Sequence, residues 1–294
     1  NEFNLLETIH PNLIALISTF FIASARIFYQ RSLNTINPLF MTVVVNIVTF
    51  IVAVAFYFGI GTMSEWPIQG LFWFFTVGIF GSLLGRYFSF VSQRLVGAAR
   101  TSVFLQSVLI WSTIIGVFFL GESLDLIVAS GIILVMFGGI LLVREDVEMR
   151  IIIKPIYYFA PIFTAFCFAL TFLLRKYGLV WIDSPPLGMA VSNTTAIIFL
   201  SGLLIFKNDS KNKKISRAGV FNAMAGGLLN AFAAMFFWYA IHLGKVVEVV
   251  PIGRLSVLFV ILFSWIFLRE QETITMKVVI GGVVSVLGAF LIIS

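Results

Sequence analysis

From Thr101 to Gly121 the chain runs TSVFLQSVLIWSTIIGVFFLG without a single charge. At ~1.5 Å per residue a helix of that length covers about 30 Å, the thickness of a bilayer's hydrocarbon core. In such a run every backbone polar group must be satisfied within the chain, so the spanning structure is a helix or a closed barrel. The run has many counterparts. Ten apolar segments cover residues 12–30, 38–60, 68–92, 97–120, 124–143, 156–177, 185–206, 218–242, 246–268 and 273–293. None shows the alternating ten-residue pattern of a membrane barrel. The expected fold is an all-α polytopic membrane protein with ten transmembrane helices.

The charges agree. Only 11% of the residues are Asp, Glu, Lys or Arg and the mean hydropathy is +1.08, whereas a soluble domain is about a quarter charged. A formal net charge of +6 sits in connections between spans, so it reads as membrane topology and gives no surface for nucleic acid. The single Cys167 lies inside an apolar run and reads as a small packing residue. The first apolar run is long and lacks a basic leader, so no cleavable signal peptide is expected. Trp66, Tyr157, Tyr158 and Trp181 fall near segment ends, where an aromatic belt would place them.

The chain repeats itself. Gly97 to Glu122 is matched by Gly244 to Glu270: each opens on Gly, carries a polar residue about a third of the way along (Gln106, Arg254) and closes on Glu. Each is followed by an apolar segment with paired glycines, Gly131/Gly138 and Gly281/Gly288. Pro38 and Asn46 in the second segment have the spacing of Pro185 and Asn193 in the seventh, and Gly81–Gly85 in the third resembles Gly226–Asn230 in the eighth. The polar stretch at 144–155 divides five segments from five, giving units 1–147 and 148–294. Five is odd, so equivalent helices cross in opposite directions. The expected architecture is two inverted five-helix repeats around a central cavity, where transporters of this kind hold substrate.

In these features the chain resembles the ten-helix EamA-type branch of the drug/metabolite transporter superfamily. The paired fourth and ninth segments ending in Gly121-Glu122 and Arg269-Glu270, the Gly-rich segments after them and the Gly97-Ala-Ala-Arg100 start carry the likeness. The resemblance implies a basket of helices around a central cavity, with the fifth and tenth spans peripheral and export as the default direction. It implies substrates such as amino acids, metabolites or nucleotide sugars. Pro251 interrupts the ninth span where members often carry Pro, but the fourth has Val103 and other apolar residues instead. That argues against a symmetric hinge.

No Walker motif, metal-ligand cluster or paired carboxylates occur within a span, so neither an enzyme, an ATP-driven pump nor a cofactor is expected. His10 and His242 read as interfacial residues. Intramembrane arginines carry the signal, because each costs about 2.5–3.5 kcal/mol at a helix centre. Arg86 and Arg254 lie several residues inside their spans, while Arg26 and Arg100 lie nearer the ends and read equally well as snorkelling to the interface. Ser82, Arg86, Ser89 and Gln93 form one helical stripe that should face the cavity. Arg100, Ser107 and Trp111 share a face of the fourth span, and Asn230 and Trp238 one of the eighth, with Tyr239 beside it. Asn46 and Asn193 read evenly as substrate contacts or as helix-to-helix glue, whereas Thr42 and Thr49 read as glue. Glu248 is the one acid inside a span, expected beside Arg100, Arg254 or Lys245 and the candidate proton carrier.

Arginine, amides and aromatic rings together suit an anion with a flat or apolar part. The expected function is a secondary transporter, by default an exporter, of a small organic anion or zwitterionic metabolite. The alternatives are a flippase for an anionic lipid or lipid-linked head group and a non-transporting scaffold. The expected partners are the lipid bilayer and the substrate, in a monomer or homodimer at the cell membrane. Basic residues concentrate after odd-numbered spans, Arg31, Arg94, Arg144, Lys207, Lys211 and Lys213 among them, against Arg175, Lys176 and Lys245 opposite. By the positive-inside rule the basic side is cytoplasmic and both termini are outside, the reverse of what the family resemblance implies.

Overall fold

The computed structural model describes residues 10–60, 65–96, 101, 104–141, 155–206, 216–256, 258–259, 263 and 276–293. Its helices are α1 (Pro11–Leu33), α2 (Pro38–Ile60), α3 (Ile68–Val77), a π-helical segment Gly78–Gly85, α4 (Arg86–Val96), α5 (Val108–Leu120), α6 (Leu126–Leu141), α7 (Phe159–Trp181), α8 (Pro185–Phe206), α9 (Arg217–Leu243), α10 (Val246–Arg254) and α11 (Met276–Ile293). Among the described residues there is no strand.

The helix starts are written locally. Proline at the first helical position lacks only an N–H that would be unpaired there anyway. Asn37 precedes Pro38 and its Oδ1 accepts from the Phe40 amide at 2.7 Å; Ser184 precedes Pro185 and its Oγ accepts from Leu187 at 3.4 Å. The second and seventh spans thus begin with the same cap-then-proline device. α5 ends on Gly121 at φ 65°, a left-handed conformation that favours glycine.

Six helices are long and apolar enough to cross a membrane, within Pro11–Leu33, Pro38–Gly59, Ile68–Leu95, Ile156–Trp181, Pro185–Ile205 and Arg217–Leu243. The other four expected spans appear as shorter helices, so ten full crossings are not established. The fourth and ninth are broken near their middles, and part of each lies outside the described residues. Large apolar side chains cover the outside: Phe118 and Ile205 are each 79% exposed, which suits lipid.

The packing pattern maps onto itself when the two halves are exchanged. α1 packs on α9, and its counterpart α7 packs on α3 and the π segment. α5 packs on α7 as α10 packs on α1, while α2 pairs with α8 and α6 with α11. This is the two-repeat layout expected from the sequence. Two serines clasp the α1–α9 pair: Ser18 Oγ donates to the Ala233 carbonyl and Ser32 Oγ to the Gly219 carbonyl, both at 2.8 Å. In the α6–α11 pair the repeat glycines meet each other. A Cβ on Gly131 would lie 2.7 Å from the Gly288 carbonyl oxygen, and one on Gly138 2.6 Å from that of Gly281. The outer faces of both helices are exposed, through Leu126, Ile133 and Phe137 on α6 and Val283, Val286 and Phe290 on α11.

Candidate functional site

The site is organised around Arg86. Its Nη1 donates to Oδ1 of Asn46 on α2 and, at 3.1 Å, to Oδ1 of Asn193 on α8. These are the two asparagines with equivalent places in the repeats, so one guanidinium joins the halves where α2 and α8 pair. Each amide is anchored on its own helix, and Asn46 also on the π segment. Asn46 Nδ2 donates to the carbonyls of Thr42 at 2.8 Å and Ser82 at 3.2 Å, and Asn193 Nδ2 donates to that of Met189 at 2.7 Å. A flipped amide would set N–H against guanidinium and oxygen against carbonyl, so the orientation is determined. Thr42 and Thr49 bond back to Pro38 and Val45 on their own helix, at 2.6 and 2.7 Å, and among the described residues these hydroxyls make no hydrogen bond across helices.

The aim of Arg86 depends on the residues before it. Gly78–Gly85 form a π-helix, whose wider i→i+5 turns shift every following side chain around the axis. The sequence stripe therefore does not run straight through. Ser82 is buried at 7% and contributes its carbonyl to Asn46, while Arg86, Ser89 and Gln93 share the half-buried face of α4.

A second arginine lies near the end of the expected sixth span. Arg175 is inside α7, its guanidinium 4.6 Å from the ring centroid of Trp238 and 5.8 Å from that of Phe172. It is close enough to Arg86 for the charges to act on each other. Trp238 is 1% exposed, so it backs Arg175 from within the core. Arg26 on α1 and Arg254 on α10 form another mutually repelling pair. All four arginines are half-buried, and among the described residues no carboxylate lies within ion-pair distance of any of them. The Tyr29 hydroxyl, within electrostatic range of Arg86, and Asn230 Nδ2 on α9 are buried without a hydrogen-bond partner among the described residues.

The remaining expected residues are more dispersed. Trp111 on α5 is half-buried and meets Phe166 edge-on at 5.5 Å; Tyr239 packs between the two main apolar clusters. Arg100 lies outside the described residues. Glu248 stands in the first turn of α10, 3.2 Å from Lys245, so it belongs to the end of the bundle and not to its centre. The carboxylate of Glu122 also lies at this end, accepting from the amides of Val246 at 2.8 Å and Val247 at 2.9 Å and so capping α10. Lys176 Nζ donates to the Gly244 carbonyl, Tyr177 Oη to that of Phe119 at 3.2 Å, and His242 lies 2.8 Å from Asp183. Polar contacts thus tie five chain segments together at the end of the bundle where α1 begins.

Both the fourth and the ninth spans are interrupted, the fourth without proline and the ninth with it. In the fourth span hydrogen bonds tighten to the i+3 type at Gln106 and Ser107, where the helix is interrupted, although no proline is present. In the ninth the same tightening occurs at Leu255, just after Pro251. The breaks therefore fall at matching places in the two repeats.

The two halves align with one known family, which matches over residues 11–144 and again over 155–294. The chain belongs to the EamA-like transporter family. A solved protein structure superposes on it with a TM-score of 0.76 at 16% identity, over 96% of this chain and 98% of that one, which shows the shared fold. No curated protein matches it in sequence. As an EamA-like protein it is a multi-pass membrane transporter of small molecules. Sequence reasoning missed Arg175 because it adjoins Lys176 near the end of an apolar run. It missed Tyr29 because a tyrosine four residues from a helix end looks interfacial.

Proposed function

We propose that this EamA-like protein is a secondary transporter that exports a small organic anion or zwitterion across the cell membrane, binding it against Arg86 between the two repeats. The observation that supports this most is the state of Arg86. Among the described residues its partners are two neutral amides, which orient the guanidinium and bring no counter-charge. A buried charge with no counter-ion is costly, and an anionic substrate supplies what is missing. Ser89 and Gln93 extend the same face and Arg254 adds positive charge. Trp111 and Tyr239 would bound the apolar part, with Trp238 as the layer behind.

The contacts where α1 begins suit a closed gate at that end, and the paired breaks at Gln106–Ser107 and Leu255 suit hinges for alternating access. A single substrate site between inverted repeats is what such a rocking motion needs. The flippase alternative has no support in the family match. The test is uptake of organic anions by proteoliposomes containing Arg86→Ala, compared with wild-type protein of equal expression and monodispersity. Loss of transport is expected; full transport by the variant overturns the reading.

A further inference from the structure

The arrangement at Arg175 points to a second anion-binding position. A guanidinium has a π face and an in-plane edge of N–H donors. Trp238 and Phe172 satisfy the face, which offsets part of the charge's burial. They accept nothing from the edge. Nε is inaccessible and unpartnered, whereas the terminal nitrogens are not sealed off and the side chain is half-buried. The platform cannot swing away. Trp238 is wedged edge-on against Phe74 at 5.7 Å, and a Cβ on Gly188 would lie 2.6 Å from its ring. Among the described residues Arg175 is thus a fixed cation whose donors have no hydrogen-bond acceptor and no acid beside them, in the electrostatic field of Arg86.

Both arginines border α8: Asn193 bonds Arg86, and Gly188, five residues earlier, packs on the Trp238 ring that carries Arg175. The two like charges repel, and one monoanion on Arg86 leaves the second charge standing. We infer that the substrate carries two separated oxyanion groups, one bound by Arg86 and its asparagines and the other by Arg175 on its Trp238 platform. Arg175 is then the residue that selects dianions over monoanions. This rests on the anion reading of Arg86 given above.

The experiment measures binding to the purified full chain by calorimetry and by thermal shift. The probes are straight-chain α,ω-dicarboxylates of three to six carbons, phosphonocarboxylates of the same lengths and the corresponding monocarboxylates. Wild-type protein is expected to bind at least one dianion about tenfold or more tighter than the monoanion of equal length. Arg175→Gln should bring the dianion down to the monoanion's affinity, and Arg175→Lys should restore part of the gap. Equal wild-type affinity for both series overturns the inference while leaving the Arg86 site standing, and needs no variant to fold. A loss in Arg175→Gln that is the same factor for both series also overturns it, since that marks a structural role. If neither series binds to wild-type protein, the anion reading itself fails and this inference with it.

Discussion

Asn193→Asp tests the central node by supplying a counter-charge that no described residue brings to Arg86. The new carboxylate is nearly isosteric with the amide, and its oxygen would sit where Oδ1 now lies, 3.1 Å from Arg86 Nη1. Two unit charges at that separation attract by about 5 kcal/mol at an effective dielectric of ~20. Burying the carboxylate takes back several kcal/mol, so the fold should tolerate the change with little loss of stability. A substrate anion on the far side of the guanidinium, about 6 Å from the new charge, then meets a neutralised arginine and a repulsion of about 2–3 kcal/mol. The expected result is a loss of organic-anion affinity of roughly 30- to 150-fold by calorimetry, with an unchanged or raised melting temperature without ligand. Asn193→Leu is the control: it removes one acceptor without adding charge, and should cost anion binding less than the aspartate does. Wild-type anion affinity in Asn193→Asp, or an equal loss in both variants, would show that the charge of Arg86 is not what substrate reads.

Glu122→Ala removes two charge-assisted bonds to the start of α10. It should destabilise the protein by about 1–3 kcal/mol, and an unchanged midpoint in a thermal scan would refute the cap's importance. Gly138→Val forces a Cβ to 2.6 Å from the Gly281 carbonyl oxygen, so α6 and α11 should separate; poor expression and aggregation on size exclusion are expected. Glu248→Gln breaks the pair with Lys245; if Glu248 carries protons, transport in the variant should lose its response to a pH gradient, and an unaltered response removes it from coupling. With Arg175 placed inside α7, the sparse side of the chain loses a basic residue and the charge asymmetry sharpens. A cysteine introduced near Ser210 should therefore resist an impermeant reagent in intact cells, and ready labelling would mean that the basic loop is external.

The sequence by itself determined the membrane class, the two-repeat layout and the starts of α2 and α8. These follow from local rules: apolar length, cap-then-proline spacing, and glycines that recur in a fixed order. It also pointed to Arg86, because an arginine deep in an apolar run has no cheap local explanation. What only the tertiary structure decided is convergence. Asn46 and Asn193 lie 40 and 107 residues from Arg86, and no periodicity shows that both amides end on one nitrogen. Arg175 beside Lys176 has the composition of a span edge, and only the approach of α9 with Trp238 turns it into a half-buried cation. The π turns before Arg86 and the break at Gln106–Ser107 were equally silent, because neither depends on a proline. Both occur where neighbouring helices offer packing that outweighs the regular hydrogen-bond ladder, and that balance is set between helices and not along one.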